Sequence, residues 1–138
     1  MNNFYFYREP GSTRHSTLVW DRDRSFTFIW NSIFDRLDEV SLVRRALAYD
    51  DLRSHFFKVV KDTAHSVSDS GWLAAEIERL WTLIGPAAHH DPRKRWSNVE
   101  VDEAIDYLRQ WVALRPGIVL DQVATFGGNH DRDPRKRP

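Results

Sequence analysis

The chain of 138 residues contains no cysteine. Thiol nucleophiles, Cys-ligated zinc, iron–sulfur clusters and a disulfide framework are therefore excluded together. Nor is there an excess of charge of either sign, since 20 Lys and Arg balance 20 Asp and Glu. A molecule so balanced is not a polycation built to coat nucleic acid. No run of eighteen apolar residues occurs, so no membrane span and no membrane partner are expected. The opening Met1–Arg8 lacks a basic n-region and a long apolar h-region. It does not read as a signal peptide, and the expected location is cytoplasmic. Gly-x-Gly-x-x-Gly, the Walker A loop, Gly-x-Ser-x-Gly and His-Glu-x-x-His are all missing. No cofactor is expected on these grounds.

What the chain has is aromatic side chains: six Trp, eight Phe and four Tyr, within a hydrophobic content of 41%. That is too rich for a disordered polymer. At this length folding hides roughly 68% of the unfolded surface, enough for one core without a covalent or metal staple.

Residues 1–20 have strand character. Phe4–Tyr7 is entirely aromatic, and Ser16–Trp20 is rich in β-branched and aromatic types. Between them Glu9-Pro10-Gly11-Ser12 fits a type II turn, because Pro presets φ and Gly accepts a positive φ. A β-hairpin follows. Two strands alone are marginal in water, so its aromatic face is expected to fold onto the remainder.

Residues 25–115 read as helices. Phe26, Ile29, Trp30, Ile33, Phe34 and Leu37 keep the three-to-four spacing of a first buried stripe, preceded by Asp21 and Asp23. Val40, Val43 and Leu47 mark a second helix. Asp50 caps a third, carrying Leu52, Phe56, Val59, Val60 and Ala64. After a turn at Ser66–Gly71, a fourth carries Trp72, Ile77, Trp81 and Ile84, until Gly85-Pro86 ends or kinks it. Ser97 and Glu100 form a capping box for a fifth, which Pro116-Gly117 stops. Residues 118–126 are a short final element that periodicity assigns to neither strand nor helix. From Gly127 nothing apolar anchors the chain, so 127–138 is expected as a flexible basic tail. The expectation is a mainly α, single-domain bundle of about five helices over 1–126, with an N-terminal β-hairpin. Trp30, Trp81 and Trp111 fall in its core stripes, and Trp20, Trp72 and Trp96 at element edges.

Asp91-Pro92-Arg93-Lys94-Arg95 recurs as Asp133-Pro134-Arg135-Lys136-Arg137. Three adjacent cations held extended by Pro suit phosphate or an acidic protein surface, and Trp96 after the first copy can stack on a base. Basic runs of this kind are also commonly just solvated. Histidines are the second group. Asp51 and His55 stand four apart, and Asp62 and His65 three apart, on the third helix, with Glu76 on the fourth. Carboxylate–His pairs of this spacing serve metal bundles, although the second acid-x-x-His motif such sites use is missing. His89, in His89-His90-Asp91, suits a general base if a partner such as His15 or Glu76 reaches it.

The leading expectation is thus an interaction or regulatory protein rather than an enzyme. It would bind nucleic acid or an acidic protein through Arg93, Lys94, Arg95, Trp96, Arg135, Lys136 and Arg137. One alternative is a small helical enzyme using His55, His65 and His89 as acid–base groups, with Asp62, His65 and Glu76 as a metal set. Another is a structural subunit docking through the aromatic hairpin.

Overall fold

The structure is a computed structural model describing residues 4–21, 25–37 and 39–130. Phe4–Arg8 (β1) and His15–Val19 (β2) pair antiparallel, with Tyr5 opposite Leu18 and Tyr7 opposite Ser16. Their turn closes where the Ser12 N–H donates to the Glu9 carbonyl at 3.1 Å. Gly11 takes a φ of 77° there, the left-handed value that this position of the turn demands. The turn chemistry in the sequence is therefore the turn that forms.

Among the described residues four helices follow: Ser41–Ala46 (α1), Asp50–Ser70 (α2), Trp72–His90 (α3) and Asn98–His130 (α4). The fold is mainly α with an N-terminal hairpin, as expected. Gly71 alone joins α2 to α3. Its φ of 64° terminates α2 in the left-handed conformation that glycine adopts without steric cost. The expected turn at Ser66–Gly71 thus shrinks to one residue, and Ser66 to Ser70 are helical.

Three helix limits differ from expectation. α3 continues through Gly85-Pro86. Gly85 is buried under Trp81, where an added Cβ would lie 3.1 Å from the indole, and the Pro86 carbonyl takes a 2.6 Å bond from His90 Nδ1. α4 likewise runs through Pro116, which is buried, and absorbs residues 118–126 as helix. It also carries the backbone of 127–130, where the tail was expected; residues 131–138, including the second basic pentapeptide, lie outside the described residues. Packing of α4 along its length outweighs the local breaker signals, whose propensity is a weak prior.

The first expected helix does not form. Residues 25–37 are a chain of turns, with single bonds such as Asp35 N–H to the Ser32 carbonyl at 3.2 Å. Its backbone is instead satisfied by side chains of α4. Tyr107 Oη donates to the Thr27 carbonyl at 2.7 Å, and Arg115 Nη1 to those of Ile29 and Asn31, both at 2.6 Å. Gln122 accepts from Ile33 N–H at 2.9 Å. Such partners remove the need for an internal ladder.

The apolar residues of that segment are still used. Ile29 is buried, together with Ala64, Val112 and Val123. Phe26 meets the edge of Trp111 at 4.9 Å, and Phe34 stacks on Phe126 at 4.1 Å with Phe57 beside both. Trp30 is the exception. Without helical periodicity it turns away from Ile29 and is 72% exposed, not core.

Among the described residues the hairpin's aromatic face is not buried against the helices. Tyr5, Phe6, Tyr7, Leu18, Val19 and Trp20 each stay about half exposed. A stack of Trp20 on Tyr5 within the hairpin, centroids 5.6 Å apart, stands in place of that contact.

Candidate functional site

The junction between α3 and α4 gathers most of the sequence candidates that the structure brings together. The loop of residues 91–97 starts with an Asp turn: Asp91 Oδ1 accepts from the Arg93 N–H at 2.8 Å. Lys94 then reaches back, its Nζ donating to the Ala88 carbonyl at 2.9 Å and the His89 carbonyl at 2.6 Å. A cation on the last carbonyls of a helix satisfies orphan acceptors and complements the negative end of the macrodipole. Lys94 is thus a cap for α3, a role its place in a basic triplet concealed. Arg93 and Arg95 on either side stay exposed, with no ion-pair partner among the described residues, and Trp96 is 62% exposed.

The loop leads into the expected capping box. Ser97 N–H donates to Glu100 Oε2 at 2.7 Å and Glu100 N–H to Ser97 Oγ at 3.2 Å. Bonding from the Ser97 backbone, then its hydroxyl, holds the Glu100 carboxyl below its usual range. One turn on, Asp102 Oδ1 lies 2.8 Å from His89 Nε2 and ties the end of α3 to the start of α4. The Trp81 ring meets His89 edge-on at 5.4 Å. Neither His15 nor Glu76 fills the partner role that the sequence suggested. Asp102 was missed because, in sequence, it reads only as one of several acids favouring a helix start.

The His and carboxylate site between α2 and α3 is not formed. His55 stands exposed and unpaired among the described residues. Asp62 is held by Lys58, whose hydrogen bond lowers the carboxyl's pKa, and His65 faces Asp69 at 3.6 Å. Glu76 is gripped by Arg79 through two 2.7 Å bonds, which hold its carboxyl low as well. Asp62, His65 and Glu76 therefore each have a partner on their own helix, or none, and do not converge. Among the described residues no three His, Cys, Asp or Glu side chains come together.

A second polar centre joins α3 to α4 where sequence reasoning found nothing. Arg109 is bidentate on Glu78, Nε to Oε1 at 2.6 Å and Nη2 to Oε2 at 2.8 Å, and its Nη1 reaches Asp106 at 2.7 Å. The hydrogen bond from Arg109 lowers the Glu78 carboxyl, and Arg109 is raised in turn. This pair borders a cavity of about 420 Å³ where α2, α3 and α4 meet, lined by Val67, Ala74, Ile77 and Val112. Facing helices had to be known before a pair separated by 31 positions could be read.

β2 is followed by Trp20 and Asp21, and Asp21 has a φ of 53°. Left-handed backbone at a residue other than glycine is uncommon, and Asp is among the few types that tolerate it. Asp23 lies outside the described residues. The reading of both acids as a helix start loses its helix, because none begins at residue 25.

Among the described residues no helix is long and apolar enough to cross a membrane. A hairpin ending in an acidic residue, set before a helical body, is the architecture in hand. Residues 1–119, most of the chain, match the family model described as CotH kinase protein. The chain belongs to that family. No curated protein and no solved structure matches it.

Proposed function

We propose that this protein takes part in phosphoryl transfer of the kind its family's description names, with Asp21 as an acidic group of the reacting site. The observation that supports the reading is the match over residues 1–119 to a family of kinase proteins. Phosphoryl transfer is carried mainly by positioning and electrostatics, with carboxylates holding Mg²⁺ against the phosphates. Asp21 is exposed at the end of β2 in an uncommon backbone conformation, the kind of local outlier that clusters at functional sites. Asp23 follows two residues later in the sequence.

The described residues do not by themselves make a metal–nucleotide centre, since no three acidic or imidazole groups converge in them. The part assigned to this chain is therefore one carboxylate, presented from the hairpin. The test is transfer of label from γ-labelled ATP, with Mg²⁺ or Mn²⁺, to the protein itself or to an added acceptor protein. Asp21→Asn should lower incorporation by roughly 100-fold, the scale on which loss of one electrostatic stabiliser acts. The exposed Asp121→Asn on α4 should leave it unchanged. Incorporation no greater than in a blank, or equal in Asp21→Asn, would overturn the reading.

A further inference from the structure

We propose that the α3–α4 loop is a docking surface for an acidic protein segment, held by Arg93 and Arg95 with Trp96 packed on an apolar side chain of that segment. The proposal is independent of the phosphoryl-transfer reading and rests on the geometry of residues 91–97 alone.

The three cations of the first pentapeptide are not equivalent. Lys94 is committed to the Ala88 and His89 carbonyls and is only partly exposed, so it pins the middle of the triplet to the end of α3. The Asp91 turn fixes the entry to the loop, and the Ser97–Glu100 box fixes its exit. The bond between His89 and Asp102 holds the two helix ends together beneath it. Arg93 and Arg95 are thereby displayed from a loop anchored at three places, which lowers the ordering cost of binding. Their guanidiniums match carboxylates in two-point geometry. An exposed Trp beside exposed Arg is the pairing that dominates protein interfaces energetically.

The same observations argue against a long polyanion. With Lys94 committed, two cations remain in this loop, whereas non-specific nucleic-acid affinity grows with the number of phosphates neutralised. Directly after the loop, α4 begins with Glu100, Asp102 and Glu103, all exposed, and these repel a backbone running past it. A short segment with two acids and one apolar side chain meets the two guanidiniums and the indole without extending over those carboxylates.

The experiment uses the full chain and a fluorescein-labelled peptide alternating Glu with Phe and Leu, followed by anisotropy at low and near-physiological salt. A labelled oligouridine is titrated in parallel. The wild-type protein should bind the peptide more tightly than the oligonucleotide, with an affinity that falls modestly with salt. Arg93→Ala with Arg95→Ala should weaken peptide binding by roughly tenfold or more, and Trp96→Ala by several-fold. A charge-reversed variant, Arg93→Glu with Arg95→Glu, should prefer the corresponding Lys peptide, which guards against a variant that has merely lost its fold. Absence of peptide binding, equal binding by the double Ala variant, or tighter binding of the oligonucleotide would each overturn the proposal.

Discussion

The hairpin and the helical body are both rich in aromatic residues, yet they use them in opposite ways. In the body, Phe34, Phe57 and Phe126 form one cluster and Phe26 with Trp111 another, each bridging elements distant in sequence. In the hairpin, Tyr5 stacks on Trp20, and Tyr7, Leu18 and Val19 stay about half exposed. Aromatic content therefore does not predict burial. What separates the two regions is a third partner. α4 lies against both α2 and the turns of 25–37, whereas among the described residues no helix packs extensively over the two-stranded sheet. Isolated hairpins are marginal, and stability here is expected to reside in the body.

The largest test of that contrast is Ile29→Ala. Ile29 is only 5% exposed, and its loss removes the most buried anchor of a segment held otherwise by hydrogen bonds to α4 and by Phe26 and Phe34. Urea unfolding should show a loss of about 3 kcal/mol. A loss below about 1 kcal/mol would mean that the segment is not part of the cooperative core.

A smaller effect is expected from acid. The Glu78 carboxyl is held low by its hydrogen bonds from Arg109. A depressed carboxylate stabilises the folded state above its unfolded pKa, and that contribution disappears as pH falls through the folded value. The thermal midpoint should therefore drop as pH is lowered from about 5 to about 3. In Glu78→Gln that drop should be shallower, because the ion pair is already absent. Identical slopes would show that the α3–α4 pair is too exposed to matter, as many surface pairs are.

The smallest effect should come from the hairpin. Removing residues 1–20 should change the unfolding free energy of the helices by no more than about 0.5 kcal/mol, read by the helical circular dichroism signal. General unfolding would instead show that the hairpin completes the core, and the contrast between the two regions would fall.

Much of this architecture was legible locally. The Pro10-Gly11 turn and the Ser97–Glu100 capping box are short-range chemistry, and both form as read. The stripe announced the burial of Ile29 and the packing of Phe26 and Phe34 on α4, but not the conformation. Its carbonyls are satisfied by Tyr107 and Arg115, some 80 positions away, which no local window contains. The breaker at Pro116 failed because that residue is buried as α4 packs on its neighbours, and α3 passes Gly85-Pro86 with Gly85 covered by Trp81 one turn earlier. At the candidate site the basic triplet was visible, but its division into an anchoring Lys94 and two displayed arginines was not. That division depends on where the last carbonyls of α3 lie, and hence on α3 running past Pro86 to His90.

The strapping of residues 27–33 by α4 also sets an order of events during synthesis. The partners of this segment are separated from it by 80 to 91 residues, so the carbonyls of Ile29 and Asn31 emerge from the ribosome long before Arg115 and Gln122 exist. Until α4 is complete, that stretch has apolar side chains and no backbone ladder of its own. Such long-range closure slows folding and leaves sticky surface exposed in the nascent chain. Residues 27–33 are thus translated well before α4 and are structured only with it.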